Sequence, residues 1–476
     1  MRKTRFLQFA TFVCLAVLPL QALDQAYVKH GTLEHRGRAW VEDRQFGGPA
    51  REGGRLILRA DVGSVVIRPG AANQVEGEAV LRAYTGSEAE ARRVLEGYQL
   101  SVRKLEGGGL YVTGESADGR HRSGGWGVDF EIKVPQRFNL DVETQGGDIS
   151  LEAALQGEAR LTTAGGDVRT SDISGPAKLD TAGGSITLGK MGNRVDARTA
   201  GGSVRVGDVD GDAVLETSGG EIVTGQIKGA LRAETAGGDV VVAGATGQVE
   251  AQTAGGQIQI GPAAGSVRME TAGGSIHLQS ARGRVVAETA GGSIDLLQLA
   301  GAVRASTAAG RILAEWTATN AQGFGPSQLE NSMGDVYVYL PVDLRLTIDA
   351  AIDAAAGHRI VSDFPISIQS EQEEFAPRTI RGRGALNGGG EVLRIRTVSG
   401  NIEIRKLDAR ALEELKTREE SAWSRWQERR AEKEQRRLER EQERRARQMM
   451  RKSKEEDRDQ ERRERQPERQ EDRDNE

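Results

Sequence analysis

The sequence predicts an all-β fold, a parallel β-solenoid (β-helix) of about 18 residues per rung, closed by capping elements and followed by a long charged C-terminal α-helix. Three observations predict it. A Thr-Ala-Gly-Gly segment recurs at fixed spacing, apolar and polar residues alternate on both sides of it, and residues 405–476 hold 24 Lys or Arg and 22 Asp or Glu. Glycine supplies 62 of 476 residues and aromatics only 4%, against an average glycine usage of roughly 7%. This composition argues against an ordinary α/β enzyme.

The chain opens with a basic stretch followed by an apolar run from Phe6 to Leu20. This pattern is typical of a secretory signal peptide and is shorter than the roughly 20 residues that span a bilayer. We expect residues 1–22 to be removed, with an uncleaved anchor as the alternative. Cys14 is the only cysteine, so a processed chain would be exported without disulfides.

Residues 27–139 are predicted to form an N-terminal β-rich capping region with one short helix. Ser87 is a suitable N-cap, Glu90 follows three residues later, and Gly97 can end the helix. Residues 128–134 then alternate between apolar and polar types, which predicts a strand that ends at Pro135.

The strongest signal lies in residues 140–315, where ten threonines repeat in register. The first interval between them is 19 residues and the next eight are 18. They are Thr144, Thr163, Thr181, Thr199, Thr217, Thr235, Thr253, Thr271, Thr289 and Thr307. A fixed period of this size indicates a solenoid.

Each repeat is predicted to supply two short strands. With the threonine as position zero, position +5 is always Ile or Val, and polar residues separate the apolar positions on both sides. This alternation is typical of half-buried strands. We expect the threonines to point inward as a ladder whose hydroxyls bond one another.

Glycines at positions +2 and +3 are predicted to join the two strands in a tight turn where φ can be positive. An antiparallel hairpin is the alternative for a two-residue link, but identical columns every 18 residues favour a parallel coil. The residues expected to define the repeat are Thr163, Thr181, Thr199, Thr217, Thr235, Thr253, Thr271, Thr289, Gly183, Gly184, Gly237, Gly238, Ile258, Ile276 and Ile294.

After the repeat, residues 316–406 are predicted to form further β rungs and a C-terminal cap, because the alternation returns at 332–338 and 397–404. Residues 407–476 are predicted to form a charged helical tail from about Asp408 to Gln466, coiled-coil-like in composition and disordered at its end. Only its first part has an apolar side, which includes Leu412, Leu415, Trp423 and Trp426. We expect this stripe, and Trp423 and Trp426 above all, to dock on the body of the protein or on a partner.

The segments that flank and form the rungs resemble a known family. Gly63-Ser64-Val65-Val66-Ile67, the stretch Ile132-Lys133-Val134-Pro135 that leads to Gly146-Gly147-Asp148-Ile149, the rungs, and the closing Thr397-Val398-Ser399-Gly400-Asn401-Ile402 carry the likeness. Over roughly residues 36–407 the chain is similar to the bacterial putative-adhesin family of β-strand-repeat proteins. The resemblance implies an exported parallel β-solenoid with a surface or envelope role and no catalytic residues. The charged tail departs from the family's pattern.

Some β-solenoids cleave polysaccharides, and stacked acids on adjacent rungs could supply paired carboxylates. The pairs are Asp148/Asp167, Glu221/Asp239 and Glu270/Glu288. Residues 140–314 contain no Phe, Tyr or Trp to hold a sugar ring, so we interpret these acids as exposed polar columns. His277, the one histidine of the repeat, is expected to be a surface residue rather than a base. No catalytic, cofactor-binding or metal-binding residue is predicted, and no cofactor.

The sequence therefore predicts an exported, non-enzymatic protein of the bacterial periplasm or cell surface, an adhesin or scaffold that presents a rigid face to an unknown protein or glycan of the envelope. The net charge of −5 gives no general attraction to nucleic acid, and membrane contact is expected only through the signal peptide. The alternatives are a polysaccharide-active enzyme, and a self-associating envelope scaffold or a regulator that acts through the tail helix.

Overall fold

The computed structural model describes residues 25–117, 125–317, 324–371 and 378–408, together with Glu432, Gln435, Arg436, Glu439 and Glu443. The chain divides into two compact units, with the boundary between Lys406 and Leu407. In the first unit, the described residues form 36 strands, arranged in two long sheets, and one helix. Across the described ranges, no helix is both long enough and apolar enough to cross a bilayer.

One sheet contains the strands that end at the repeat threonines and is named here the threonine sheet. In spatial order its strands are β6 (Tyr98–Leu105), β7 (Gly109–Ser116), β3 (Arg55–Ala60), β9 (Asn139–Thr144), β11 (Ala159–Thr163), β13 (Ala177–Thr181), β15 (Val195–Thr199), β17 (Ala213–Thr217), β19 (Leu231–Thr235), β21 (Val249–Thr253), β23 (Val267–Thr271), β25 (Val285–Thr289), β27 (Val303–Ala309), β29 (Ser327–Met333), β35 (Val392–Ser399), β31 (Leu346–Ile352), β34 (Thr379–Leu386) and β33 (Ser367–Glu371).

The other sheet carries the apolar +5 residues and is named the isoleucine sheet. In spatial order its strands are β1 (Tyr27–Arg36), β2 (Ala39–Pro49), β5 (Gln74–Ala83), β8 (Trp126–Val134), β4 (Ser64–Pro69), β10 (Ile149–Leu151), β12 (Val168–Thr170), β14 (Ile186–Leu188), β16 (Val204–Val206), β18 (Ile222–Ile227), β20 (Val240–Ala245), β22 (Ile258–Ala263), β24 (Ile276–Ala281), β26 (Ile294–Leu299), β28 (Ile312–Trp316), β30 (Val336–Leu340), β36 (Ile402–Lys406) and β32 (Ile360–Ser362).

The repeat is a parallel stack in which equivalent positions lie opposite one another. Thr235 pairs with Thr253 in the threonine sheet, and Ile258 pairs with Ile276 in the isoleucine sheet. Because side chains alternate along a strand, this register sends the same columns into the core of every rung. In the earlier rungs a single-residue bridge at position +10 adds a third contact, as between Ile173 and Met191.

The inward columns form one continuous apolar core. Ile258, Ile276 and Ile294 are all within 1% of full burial. The rungs of the repeat fill this core with aliphatic side chains, whereas the flanks add large aromatic ones such as Phe46, Phe130 and Trp316, each fully buried.

The predicted short helix is present as α1 (Glu88–Glu96). The Ser87 hydroxyl accepts a hydrogen bond from the Glu90 amide at 3.3 Å, as expected of an N-cap. At the other end of α1, the buried Arg44 guanidinium donates to the carbonyl oxygens of Leu95 (2.7 Å) and Tyr98 (2.6 Å). The Leu95 carbonyl, in the last turn of the helix, also accepts from the Gly97 amide, so both donors satisfy a group that has no partner within the helix.

At both ends of the stack the order of the rungs departs from the order of the chain. The rung of β3 and β4 lies between the rung of β7 and β8 and the rung of β9 and β10. Likewise, the rung of β35 and β36 lies between that of β29 and β30 and that of β31 and β32. Antiparallel strands then pair with the strands of the outermost rungs, as β5 does with β8 and β34 does with β31. The weak echoes of the repeat in the flanking sequence are therefore rungs that close the stack.

The expectation of positive φ at the paired glycines is wrong for the rungs of the repeat. Gly310, Gly63 and Gly334 have positive φ, but Gly183, Gly184 and the equivalent pairs of the other full rungs do not. The second glycine is required by close approach instead. A Cβ added to Gly184 would lie 1.9 Å from the carbonyl oxygen of Gly166 in the preceding rung, whereas one added to Gly183 would meet nothing closer than 3.4 Å.

The threonines do point inward, but their hydroxyls do not bond one another. Each hydroxyl from Thr163 to Thr307 donates to the carbonyl of the position +3 residue in the preceding rung, at 2.7–2.9 Å. In the same rung, the amide of Gly184 donates to the hydroxyl of Thr181 at 3.2 Å. Every rung from that of Thr163 to that of Thr289 repeats this bond. Threonine hydroxyls and backbone groups therefore alternate in one chain of hydrogen bonds along this column. These bonds satisfy polar groups that the turn would otherwise leave buried and unpaired.

In the second unit, the five described residues beyond Asp408 are all helical. The Gln435 side chain donates to the Glu439 carboxylate at 3.3 Å, one helical turn further on. The remainder of the predicted helix from about Asp408 to Gln466, including Trp423 and Trp426, lies outside the described residues, so the helix stays a prediction.

Candidate binding groove

A straight groove of about 1310 Å³ runs along the corner where the strands of the threonine sheet end. It extends from Thr162 to Ser306 and is lined by positions −1, 0 and +1 in every rung from that of Thr181 to that of Thr289. The threonine hydroxyls at position 0 are already bonded to the backbone, so the exposed chemistry comes from the two neighbouring columns. The groove is named here the alanine groove, after its +1 column.

The +1 column consists of Ala182, Ala200, Ser218, Ala236, Ala254, Ala272 and Ala290. These residues are exposed, and their short side chains leave the groove open along its whole length. A larger residue at this position would project into it. The groove is thus a direct result of the Thr-Ala-Gly-Gly sequence, in which a buried residue is followed by three small ones.

The −1 column supplies the polar side of the groove. Its charged members are Asp180, Arg198, Glu216, Glu234, Glu270 and Glu288. Successive members lie on adjacent parallel strands, about 4.8 Å apart. The groove therefore carries five carboxylates and one guanidinium in a single line.

A second line of charged residues runs beside the first, two residues earlier on the strand, and is interrupted by Val214 and Val286. Arg232 pairs with Glu234, and Arg268 pairs with Glu270. Arg232 also reaches Glu250 of the next rung at 3.2 Å. These pairs are part-exposed, so each contributes little to stability. Their effect is to hold the carboxylates in place at the edge of the groove.

The acids at position +4 have a different role. The Asp148 carboxylate accepts a hydrogen bond from the Asp167 amide at 2.8 Å, and the Asp167 carboxylate accepts one from the Ser185 amide at 2.7 Å. Asp239 does the same for the Gln257 amide at 2.9 Å. Serine fills this role in other rungs, as Ser275 does for the Ser293 amide. The side chain at +4 thus ties one rung to the next.

Of the three acid pairs that the sequence suggests, Asp148 and Asp167 are occupied by amides and by Arg169. Glu221 forms an ion pair with Arg205. Only Glu270 and Glu288 line the alanine groove, where they belong to the −1 column. Among the described residues, no group of three or more His, Cys, Asp or Glu side chains is arranged to hold a metal ion.

His277 lies on the outer face of the isoleucine sheet, between Gln259 and Asp295 in the parallel register. Burial lowers its pKa, against an opposing effect of the Asp295 carboxylate. The imidazole is therefore neutral at pH 7. It does not line the alanine groove.

A second cleft, of about 580 Å³, lies in the N-terminal region between β1, β2 and the end of α1. Its polar lining includes His30, Glu42, Arg44 and Tyr98. Glu42 bonds both His30 (2.9 Å) and Arg44 (2.9 Å), and these contacts hold the pKa of Glu42 below its usual value despite partial burial. This network anchors α1 to the sheet. The buried Arg44 gave no sequence signal, since it occupies an ordinary position in a strand.

The residues predicted to define the repeat all belong to the stack, but not all to the groove. The threonines line the groove and are buried, the isoleucines are in the core, and Gly184 and Gly238 are packed against the preceding rung. The sequence reasoning missed the groove itself. Its signal is the small residue that follows nine of the ten threonines, alanine in eight rungs and serine in one, to which no role was assigned from sequence.

The family model that matches this chain is that of the Toastrack proteins, DUF4097, a family named as a domain of unknown function. The match covers residues 55–285, just under half of the chain, from β3 to the first residue of β25, the ninth of the ten threonine strands. It supports a relationship to this family of unknown function.

Two solved structures align with this chain in part. One is a putative cell adhesion protein from Clostridium sporogenes, with 9% sequence identity over 80% of this chain and 100% of that chain, at a TM-score of 0.16. The other is a putative adhesin from Bacteroides fragilis, with 13% identity over 53% of this chain and 96% of that chain, at a TM-score of 0.22. No curated protein matches this chain.

Proposed function

We propose that this protein is an exported, non-enzymatic β-solenoid of the bacterial envelope or surface that binds an extended partner along the alanine groove. The observation that carries the proposal is the uniformity of the groove over successive rungs. Each rung from that of Thr181 to that of Thr289 presents a small residue at +1 and a polar residue at −1 in the same orientation. Such a surface suits a partner that is itself extended, because every rung repeats the same contact.

The chemistry of the groove favours a polypeptide partner with basic or amide side chains. Five carboxylates and a row of alanine methyl groups line it. Each carboxylate is paired with a part-exposed Lys or Arg of its own or an adjacent rung, and such exposed pairs are weak, so basic side chains of a partner would exchange with them along the row of acids. A glycan partner is less well served, since the repeat between Leu140 and Ala314 has no aromatic residue. The acids at +4 that could have supported glycan cleavage are bonded to backbone amides or to arginine.

The test fills the groove without changing the core. Tyrosine replaces Ala236, Ala254 and Ala272, which are exposed at position +1 of three adjacent rungs. The matched control places tyrosine at Ala230, Gln248 and Ser266, which are exposed at position +13 of adjacent rungs. Equal thermal stability of both variants and the parent establishes that all three are folded.

The three proteins are then compared for retention by purified bacterial envelope, either untreated, protease-treated or digested with a cell-wall hydrolase. The expected result is retention of the parent and the control, loss of retention by the groove variant, and loss for all after protease treatment. Retention by the groove variant equal to that of the parent would rule out the groove as the binding site. Sensitivity to the hydrolase alone would identify a glycan partner instead. Release of glycan fragments that is abolished by Asp148→Asn and Asp167→Asn would favour an enzyme.

A further inference from the structure

The outer face of the threonine sheet changes the sign of its charge along the stack. In the ten threonine rungs, the outward positions −3 and −1 hold nine acids and six basic residues. At the C-terminal end, the outward positions of the adjacent strands β35, β31 and β34 hold a single acid, Asp349, and four arginines. This surface is named here the arginine face, and its arginines are Arg381, Arg383, Arg394 and Arg396.

Asp349 shows how the arginine face holds an anion. It lies on β31, opposite Arg394 on one side and Arg383 on the other. Its carboxylate accepts a hydrogen bond from Arg383 at 3.2 Å, and the guanidinium groups of Arg394 and Arg396 approach it to 3.8 and 3.9 Å. The Asp349 side chain is 20% exposed, whereas those of the three arginines are 42–69% exposed. One carboxylate thus serves three arginines that remain open to solvent.

The next outward position of β31 is occupied by Ala351, which has no charge to offer. It lies opposite Arg396 on β35 and Arg381 on β34, just as Asp349 lies between its own two arginines. Within the described ranges, no carboxylate is at ion-pairing distance from Arg381. Neighbouring strands are about 4.8 Å apart, so two guanidinium groups flank an empty position above the methyl group of Ala351.

The strands on either side of the arginine face leave it with an excess of positive charge. On β33, the residues opposite the two arginines of β34 are the uncharged Gln369 and Ser367. On β29, Glu330 lies opposite Arg396, and its carboxylate accepts a hydrogen bond from the Gln328 side chain at 2.5 Å.

We propose that the arginine face binds a phosphate polymer, with one phosphate group held over Ala351 between Arg381 and Arg396. All four basic residues are arginine, whose planar fork donates paired hydrogen bonds to phosphate. A phosphate has oxygen atoms on several sides and accepts from both flanking arginines at once. Further phosphates of the same polymer meet the exposed arginines around Asp349. The inference does not depend on the function proposed for the alanine groove.

The other residues of the three strands favour a polymer without bases over a nucleic acid or a folded protein. The strands contain no aromatic residue, whereas proteins that bind single-stranded nucleic acid stack its bases on aromatic side chains. A protein interface usually has an apolar centre within a polar rim. Here the exposed valines, Val392 and Val398, lie at the two ends of β35 and not between the arginines.

The test measures binding of fluorescently labelled inorganic polyphosphate to the full chain by anisotropy. Arg381→Gln is combined with Arg396→Gln, which removes both arginines beside Ala351. The matched control combines Arg160→Gln with Lys178→Gln, which removes the same charge from adjacent strands of the same outer face. Thermal unfolding shows that each variant is folded.

The expected result is a loss of affinity of at least tenfold for the first variant and of less than twofold for the control. Equal losses would overturn the proposal, because the binding would then reflect overall charge. Absence of binding by the parent would overturn it as well.

A second pair of variants removes an acid instead. Asp349→Asn releases three arginines and should raise the affinity for polyphosphate several-fold. The control is Asp141→Asn, at the other end of the same sheet, where the carboxylate pairs with Arg59 at 2.8 Å and is 21% exposed. This control should bind like the parent. An equal change in both variants would contradict an anion site at the arginine face.

Competition identifies the ligand chemistry. Unlabelled polyphosphate should displace the probe, and polyglutamate, a single-stranded oligonucleotide and orthophosphate should do so only at much higher concentrations of charged groups. Equal displacement by any of these three would overturn the assignment to a phosphate polymer. The tyrosine variant of the alanine groove should bind polyphosphate like the parent, so failure of the groove proposal and failure of this one are distinguishable.

Discussion

The ten threonine rungs and the rungs that close the stack bury their backbone in different ways. In the middle, each rung pairs with the rung before and after it in the chain, and a threonine hydroxyl links neighbouring turns. At the ends, the rungs are placed out of chain order, and aromatic side chains and antiparallel strands complete the core. The comparison teaches that repetition stabilises the middle through identical local contacts, while the ends depend on contacts between distant parts of the chain.

The largest expected effect comes from removing the last rung. Ending the chain after residue 391 deletes the fully buried Leu393, Ile395, Ile402 and Ile404. At about 1.5–3 kcal/mol for each buried aliphatic side chain, roughly 6–12 kcal/mol of stabilisation is lost, which is comparable with the whole stability of a typical domain. Circular dichroism and limited proteolysis should show loss of the C-terminal strands.

The control for this truncation is the excision of one interior rung, residues 254–271, which joins Thr253 to Ala272. Every column continues across the junction, so the solenoid should fold with one rung fewer, about 4.8 Å shorter, and with a similar melting temperature. If the excision were as damaging as the truncation, the contrast between middle and ends would be wrong.

The next effect separates the two glycines of a rung. In Gly256→Ala the new Cβ would lie 1.9 Å from the carbonyl oxygen of Gly238, which forces the rungs apart, and we expect a loss of about 3–5 kcal/mol. In Gly255→Ala the nearest atom is 3.6 Å away, and the change should stay within about 1 kcal/mol. Urea unfolding of the two variants measures the difference, and equal losses would refute the close-approach explanation.

A smaller effect is expected from Thr253→Val, which keeps the shape of the side chain. It removes the bond to the Gly238 carbonyl (2.8 Å) and the bond from the Gly256 amide (3.1 Å). Leaving these buried groups unpaired should cost about 1–3 kcal/mol. Thr253→Ser restores the hydroxyl and should recover most of the loss in urea unfolding, and a serine variant as unstable as the valine variant would point to packing instead.

The smallest effect concerns His277 and depends on pH. Burial holds its pKa below the ordinary value of 6.5 in the folded protein, so the unfolded chain binds more protons once the pH falls below about 6.5. Stability should therefore decrease as the pH falls from about 6.5, by at most about 1.4 kcal/mol per pH unit, and should be unaffected above pH 7.5. His277→Gln should reduce this dependence in urea unfolding at pH 7.5, 6.5 and 5.5. An identical pH dependence in the variant would exclude His277 as its source.

The sequence predicted the features that depend on a repeated column of residue types. It did not predict those that depend on how much room surrounds a residue in the folded stack. The period of the threonines predicts the parallel stack, and the +5 column predicts Ile258 and Ile276 in the core. The reason for glycine at +3 was not predictable, because a positive φ and the close approach of the preceding rung both require glycine. The sequence therefore reads the same in either case. The column of threonines predicted hydroxyl-to-hydroxyl bonds at Thr181, whereas the structure shows that this hydroxyl bonds a backbone carbonyl of the preceding rung.

The site was less accessible than the fold. The acids at +4 look like candidates for chemistry in sequence, since nothing there reveals that the Asp167 carboxylate accepts from the Ser185 amide. The alanine groove depends on which side of Thr235 the next residue faces, and Ala236 could have been buried in the turn. The placement of β35 and β36 between earlier rungs was also hidden, because the column pattern identifies a rung but not its neighbours.

The last rung, which lies between two rungs that precede it in the chain, also constrains the timing of folding. Residues 392–406 are synthesised after both of the rungs between which they lie. A chain that emerges from its N-terminus can stack its threonine rungs one by one, but it cannot reach its final arrangement until these late residues have arrived. Completion of the solenoid therefore depends on the synthesis of residues 392–406, and a product that ends before them is left open at one end.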